Sequence, residues 1–476
     1  MKHRVVITGM GVVAPNAVGI DNFLAAIQEG RSGITFHQKL QELKFSCCIG
    51  GIPSISEEMK NKYLTPLQLR GFDSAGILYG CIAGIDAWKD AGFDIDKSLP
   101  VDYDSGLVFG AGTSGVEKFR EAVYKLDDQK VKRLGSTVVV QTMASGVSAY
   151  LGGILGVGNQ VTTNSSACTT GTEALLMGFE RVQAGKAKRM LVGSCSDDGA
   201  YIWGGFDAMR VMTYKHNEKP KEGSRPMSAD ASGFVPGSGA GALVLETLES
   251  ALERKATIYA EVLGGNINSG GQRNGGTMTA PNSEAVQKCI VDAIKNANIV
   301  PSEIDAINGH LTATVKDPVE IENWTKALGR AGQNFPMINS LKSMVGHCLA
   351  AAGAIENVAT ILQLKHQFIF PNINCEEVHP DILKLISKEK IPTKMTPKKL
   401  NIIAKASFGF EYYGNTGKIF NPYKLPLQEH IMYLVLDLFI HPLFEFNLGI
   451  GEGLTESSNG LNVKCFIGKR INWKHK

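Results

Sequence analysis

Short apolar runs that end in glycine, each followed by a helical pattern, recur along most of this chain, and that alternation constrains the fold more than any other feature. RVVITGMGVV reads as a buried strand and DNFLAAIQEG as a helix. SAGILYGCIAGIDAWKDAG reads as a long buried helix, SGLVFGAG and RMLVGSCSD as buried strands, and GALVLETLESALERKATIYAEVLGG as strand, helix and strand. Farther on, SEAVQKCIVDAIKNANI is helical, EIDAINGHLT is a strand with a polar exit, and GAIENVATILQLKHQ is helical. Strands that are apolar on both faces belong to sheets covered by helices, so the expected class is α/β. The 53 glycines cluster at the ends of the apolar runs, where tight strand–loop–helix junctions need them.

RVVITGMGVVAP at the start is echoed by YAEVLGGNINSG near residue 259. Such an echo predicts two α/β halves, residues 1–255 and 256–420. Residues 421–476 differ in character. NPYKLPLQEH reads as a linker, and IMYLVLDLFIHPLFEFNLGIG is apolar but interrupted by Asp437, His441, Pro442 and Glu445. A membrane-spanning helix needs about 20 mostly apolar residues, so a packed or poorly ordered tail is expected there, and no membrane span.

The 476 residues are 43% hydrophobic and 20% charged, an ordinary globular balance. Net charge is +3, and no dense Lys/Arg block is interleaved with aromatics, which excludes a nucleic-acid-binding class. A mild positive excess would attract an acidic carrier protein without requiring one. The N-terminal apolar run is short and broken by glycines, unlike a signal peptide. The nine cysteines are scattered with no C-x-x-C pair, so neither zinc nor dithiol chemistry is signalled, and reduced thiols in a cytoplasm are expected. Gly9-Met-Gly11 lacks the third glycine of a dinucleotide fingerprint, and Gly237-Ser-Gly239-Ala-Gly241 precedes a strand rather than a helix. Both read as close backbone packing.

Chemistry concentrates in a few segments. In VTTNSSACTTGTEALLMGFERV, a β-branched run gives way to small polar residues, then Cys168, then a helical pattern through Ala174, Leu175, Met177 and Val182. That places the thiol at a helix N-terminus, whose partial positive charge favours the thiolate a cysteine nucleophile uses. Ala167, Thr169 and Gly171 leave room for a substrate carbonyl. A cysteine taken alone is more often a buried structural thiol, and Cys48, Cys81 and Cys289 read that way. His310 stands at the exit of an apolar strand, with Thr312 and Thr314 alternating after it so that both hydroxyls line one side of an extended segment. Asp317 and Glu320 lie one helical turn apart. His347 sits between a loop bearing Lys342 and an alanine-rich helix containing Glu356. Either histidine alone reads equally well as a satisfied core side chain. In AKASFGFEYYGN, Phe408 and Phe410 flank Gly409 and could gate an apolar tunnel, or end an ordinary core strand.

Taken together and in order, RVVITGMGVVAP, SACTTG, SGFVPGSGAGALVLE, NGHLTAT, SLKSMVGHCLAAAGAIE and SFGF resemble the β-ketoacyl–acyl-carrier-protein synthases, over about residues 3 to 410. The resemblance implies a thiolase-like fold: two similar α/β halves in α-β-α-β-α layers, working as a homodimer or as a heterodimer with a chain-length partner. It implies that Cys168 accepts an acyl chain from the phosphopantetheine thiol of an acyl carrier protein. His310 and His347 would promote decarboxylation of a malonyl extender, with Lys342 supporting the pair and Glu356 as its acidic partner. Asp317 and Glu320 would give structural support. Thr312 and Thr314 would bind the pantetheine amides. The backbone N–H groups of Cys168 and Phe410 would form an oxyanion hole, and Phe410 with Phe408 would gate the acyl pocket. No metal and no cofactor beyond the carrier's own arm is implied.

The chain departs from the family pattern at several points. Leu311 stands where the family has glycine, the stretch from His310 to Asp317 is one residue shorter, and Ser232 and Ser238 replace acidic residues. With NSSACTTG, these changes are similar to the specialised synthases that make polyenes or resorcinol-type lipids. After Phe410 the family's Gly-rich loop and short closing strand give way to Glu411-Tyr412-Tyr413 and an unrelated tail. A shifted reading frame near codon 411 would produce so abrupt a change. It predicts that the DNA, read in another frame, encodes a Gly-rich loop and an apolar strand. A noncatalytic chain-length partner usually lacks the nucleophilic cysteine, so keeping Cys168, His310 and His347 favours an active synthase. A thiolase would carry a second cysteine in a Cys-x-Gly turn, a setting Cys465 lacks.

Overall fold

The computed structural model describes residues 2–409 except 71, 272 and 274–281, and beyond them the strand residues 417–418, 421–422, 431–441, 444–453 and 462–469. The chain divides into two compact units, Met1–Glu411 and Tyr412–Lys476.

The first unit is built on a seven-stranded sheet. It draws on β1 (Val5–Ala14), β2 (Ser105–Ala111), β3 (Val161–Thr162), β4 (Arg189–Ser196), β5 (Gly239–Thr247) and β6 (Ala260–Val262), with the short strand Ala17–Val18 at one edge. The order is Ala17–Val18, β1, β5, β4, β2, β3, and β6 also pairs with β1. β1 runs antiparallel to β5, with Val5 opposite Thr247 and Val13 opposite Ala240, while β4, β2 and β3 run parallel to one another. Every residue of β1 is buried, which is why it reads as a continuous apolar run rather than an alternating one.

Helix α1 (Ala75–Asp90) and helix α2 (Gly146–Leu155) cover one face of this sheet. Gly9 and Gly11 let β1 lie directly on α1: a Cβ at either would stand 2.2 Å from Ala87 O or 2.0 Å from Ala83 O. Helices α3 (Thr170–Gln183) and α7 (Ala352–His366) cover the other face, burying Val182, Ile355, Val358 and Leu362 against Met10, Val12 and Leu243.

Between α3 and α7 in sequence come α4 (Ser283–Asn296), β7 (Ala306–Asn308), α5 (Asp317–Leu328), β8 (Met337–Asn339) and the short helix α6 (Lys342–Val345). With β9 (Ile403–Lys405), strands β8 and β7 form a parallel sheet in the order β8, β7, β9. Helices α4 and α5 cover its outer face through Val286, Ile290, Ile321 and Trp324, which meet Ile307 and Ile338. Helix α7 touches both β5 and β9, so it lies between the two sheets. The layers are helix, sheet, helix, sheet, helix. The strand that would open the second half, β6, is hydrogen-bonded into the first sheet, beside the very strand it echoes.

Among the described residues β9 pairs only with β7. The family's closing strand would follow Phe410, and Phe410 itself lies outside the described residues. In the second unit, Ile431–His441, Phe444–Gly453 and Asn462–Lys469 form an antiparallel three-stranded sheet. Within the apolar stretch of the tail, Ile431–His441 and Phe444–Gly453 are therefore paired strands. No helix among the described residues is long and apolar enough to cross a membrane.

Candidate active site

Cys168 lies where the sequence places it, in a 3-10 turn (Ala167–Thr169) between β3 and α3. The small polar residues around it close the turn with their own side chains. Thr170 Oγ1 accepts the Ser166 N–H at 2.9 Å and donates to Ala167 O at 2.6 Å, and Thr169 Oγ1 donates to Ser166 O at 2.6 Å. Glu173, in the first turn of α3, accepts from Asn164 at 3.1 Å and from Ser166 Oγ. Ala167 is held at φ 50°, a left-handed conformation costly for a residue with a Cβ.

Cys168 is only 2% exposed. Burial pushes the Cys168 thiol up to about 12, against the opposing pull of Lys342. The thiolate expected from the helix N-terminus is thus overridden: desolvation of a buried anion outweighs the partial charge of one helix end, and the resting group is a thiol.

His310 follows β7, and α5 holds its loop by carboxylates. Glu320 accepts the His310 and Leu311 N–H groups at 2.7 Å each. Asp317 accepts from Thr312 N at 2.9 Å and Ala313 N at 3.1 Å, and from Met227 N at 2.8 Å. These bonds hold a loop with Leu311 at φ 21° and Ala313 at φ 62°, positive values at non-glycine residues. The segment is therefore folded rather than extended. The Thr312 and Thr314 hydroxyls still meet, 3.1 Å apart, because the bend brings them together. Burial raises Asp317 to about 6 and Glu320 to about 7, with the backbone donors opposing that rise.

His347 is fixed by its backbone, donating to Val235 O at 2.7 Å and accepting from Gly237 N at 2.8 Å. Its Nδ1 accepts the Leu349 N–H at 3.2 Å. Lys342 Nζ stands 3.5 Å from His310 Nδ1, and an ammonium can only donate. Each ring therefore carries its proton on Nε2. Burial, and then the nearby Lys342 charge, hold both imidazoles well below the ordinary histidine range, so both are neutral. The rings lie 5.2 Å apart at 84°, and the Phe408 ring is 5.5 Å from His310. His347 Nε2 is buried with no protein partner.

Lys342 and Glu356 form an ion pair whose side chains are 1% and 2% exposed. Lys342 starts the short helix α6 rather than lying in a loop. The Cys168 turn packs on the turn Leu349–Ala351, directly after His347. The sulfur also feels the Lys342, Glu356 and Lys405 charges. A Cβ on Gly409 would stand 2.8 Å from Ser166 O. That glycine thus permits close contact between the Phe408 segment and the Cys168 turn. Cys168, His310, His347, Lys342, Glu356 and Phe408 are in this way brought to one place by four separate stretches of chain.

Lys405, at the end of β9, was not singled out by sequence. Its Nζ lies 2.6 Å from Glu356 Oε2, so one carboxylate faces two ammoniums. The available signal was a lysine inside the apolar run NIIAKAS, where a buried charge requires a partner. A cavity of about 290 Å³ adjoins Phe408 and Lys405, walled by Leu176, Ile290, Trp324 and Ile403.

The model of the β-ketoacyl synthase N-terminal domain matches residues 2–251, and that of the C-terminal domain matches residues 259–376. The chain is 33% identical over 416 residues to 3-oxoacyl-acyl-carrier-protein synthase 1 of Escherichia coli, covering 86% of this chain and 96% of that one. Among solved structures, the ishigamide ketosynthase/chain length factor superposes with a TM-score of 0.76 at 26% identity. A type II polyketide ketosynthase, solved with its acyl-carrier protein and a bound hexaketide, does so at 0.75 and 28%. Each covers 86% of this chain, which covers 97% of each. The two family models span the stretches that carry Cys168, His310, Lys342, His347 and Glu356, and on these matches the chain belongs to the β-ketoacyl synthase family, a condensing acyltransferase with a thiolase-like fold.

Proposed function

We propose that Cys168 takes an acyl chain from the thioester of an acyl carrier protein and condenses it with a malonyl unit. In the first half-reaction the sulfur attacks the thioester carbonyl. The carbon–sulfur bond to the carrier breaks, and the proton of Cys168 ends on the departing carrier thiol. In the second, the malonyl carboxylate leaves as CO2 and its electron pair becomes an enolate. That carbon attacks the acyl-Cys168 carbonyl, the new carbon–carbon bond forms, and the Cys168 thiolate departs and regains a proton from solvent.

The observation that carries this reading is the pair of neutral rings with Nε2–H groups beside the Cys168 turn. Two N–H donors in a dry site stabilise an enolate oxygen without a strong base. The Thr312 and Thr314 hydroxyls, side by side, suit the pantetheine amides. Likeness to a ketosynthase solved with its carrier protein, and to a ketosynthase/chain length factor, supports an acyl carrier protein as partner and a homodimer or paired heterodimer as the assembly. Retention of Cys168 and both histidines favours the catalytic subunit over a noncatalytic chain-length partner. Fatty-acid and polyene or polyketide chains are both consistent with the relatives.

The test separates the half-reactions in His347→Ala. Protein mass after mixing with acyl carrier thioester reports acylation, and CO2 release from malonyl carrier protein reports condensation. Acylation is expected to persist while condensation falls about 10²–10³-fold. Condensation at the wild-type rate would overturn the role given to His347.

A further inference from the structure

The buried cluster beside Cys168 holds one cation more than this mechanism uses. The Lys405 side chain is 7% exposed. Its Nζ lies 2.6 Å from Glu356 Oε2 and donates to Ala406 O and Ser407 Oγ. Two hydrogen-bond acceptors and the nearby Glu356 carboxylate surround the amine, a setting that suits an ammonium better than a neutral amine. The other oxygen of Glu356 is bound by Lys342. Among the described residues, Glu356 is the one carboxylate in ion-pair contact with either lysine. Burial pulls Lys405 below the ordinary lysine range and the Glu356 carboxylate opposes that pull; with both lysines protonated, Lys342, Glu356 and Lys405 together carry one net positive charge inside the protein.

The charges around the Cys168 sulfur can be named. His310 and His347 are neutral. Glu320 and Asp317 on α5 are engaged by the backbone of the His310 loop, and Glu173 on α3 by Asn164 and Ser166. None of them is paired with the extra ammonium. Lys405 also reaches the Cys168 helix through Ser407, whose hydroxyl lies 2.8 Å from Thr172 Oγ1. Phe408 is the next residue in the chain.

We infer that Lys405 is a positioning residue of the condensation: as a second ammonium on Glu356, it supplies the uncompensated positive charge against which the Cys168 thiolate and the malonyl-derived enolate form. This rests on the reading of Cys168 as nucleophile. Burial opposes ionisation of that sulfur most, and Lys342 and Lys405 both act in the other direction. An anion formed there needs no counter-ion brought from solvent.

The experiment compares wild type, Lys405→Met and Lys405→Arg by the rate of Cys168 alkylation with iodoacetamide at fixed pH values from 7 to 9, followed by peptide mass. The Met variant is expected to slow alkylation about tenfold at each pH and to slow acyl transfer about tenfold, with the Arg variant close to wild type. Lys405→Gln, which keeps N–H donors but no charge, takes the place of a Met variant that does not fold. An unchanged alkylation rate in a folded uncharged variant would overturn the inference, as would a folded Arg variant that behaves like Met. Acyl label on another residue of the wild-type protein would instead refute the nucleophile reading, while the alkylation rates still report what Lys405 does to the sulfur.

Discussion

The Leu349 N–H donates to Nδ1 of His347 at 3.2 Å, and that one bond decides which ring nitrogen faces the site. With Nδ1 used as an acceptor, Nε2 carries the hydrogen, and Nε2 is buried without a protein partner. A buried donor left open inside a well-packed protein costs stability unless a substrate or water completes it.

Acidification should expose the neutral state of this histidine. Folded and buried, His347 resists protonation, whereas in the unfolded chain it gains a proton below about pH 6.5. The unfolded state then binds more protons, and stability falls as the pH falls. Asp317 and Glu320, raised to about 6 and about 7, act in the opposite sense, because the folded state protonates them first. Comparison with His347→Gln cancels those carboxyls. Between pH 7 and pH 5 the Gln variant should lose about 2 kcal/mol less stability than wild type in urea melts. Identical losses would show that His347 titrates as freely in the folded protein as in the unfolded one.

Glu320 holds the His310 and Leu311 N–H groups while Leu311 sits at φ 21°. Glu320→Ala should leave both donors buried and unpaired, at about 1–3 kcal/mol each, and let the strained loop relax. Glu320→Gln keeps one acceptor and should lose about half as much. Condensation should decline in the same order. Equal stability of the two variants would mean that the loop holds its shape without the carboxylate.

Glu356 lies between Lys342 and Lys405. Glu356→Gln removes the charge both ammoniums share and should destabilise the protein by about 3–5 kcal/mol. Lys405→Met leaves the Lys342–Glu356 pair intact and should cost less. A Gln variant as stable as wild type in chemical denaturation would show that the pair is not maintained in solution.

Gly409→Ala tests a contact rather than a charge. The added methyl would stand 2.8 Å from Ser166 O, beside the Cys168 turn. Acyl transfer should slow more than global stability falls. A variant that acylates at the wild-type rate would show that this close approach has no bearing on Cys168.

Much of this was readable in the sequence, and the failures have physical causes. Cys168, His310 and His347 stand out because each occupies a junction where an apolar run meets small or glycine-rich residues, and such junctions are local. The α/β class followed from runs such as VVITGMGVVA, buried at every position. Burial is a property of the whole fold, so the resting thiol of Cys168 could not be seen from the helix end that follows it. Lys405 was missed for the same reason: its partner Glu356 is far away in sequence, and only packing of α7 on β9 joins them. Nor does spacing reveal that Ala313 turns left-handed, so the alternation of Thr312 and Thr314 looked extended.

The most direct measurement is intact mass and peptide mapping after incubation with an acyl-carrier thioester. One acyl group per chain is expected, on the peptide containing Cys168, and none on Cys168→Ala. A label on any other residue, or an equal label on the Ala variant, would contradict the account.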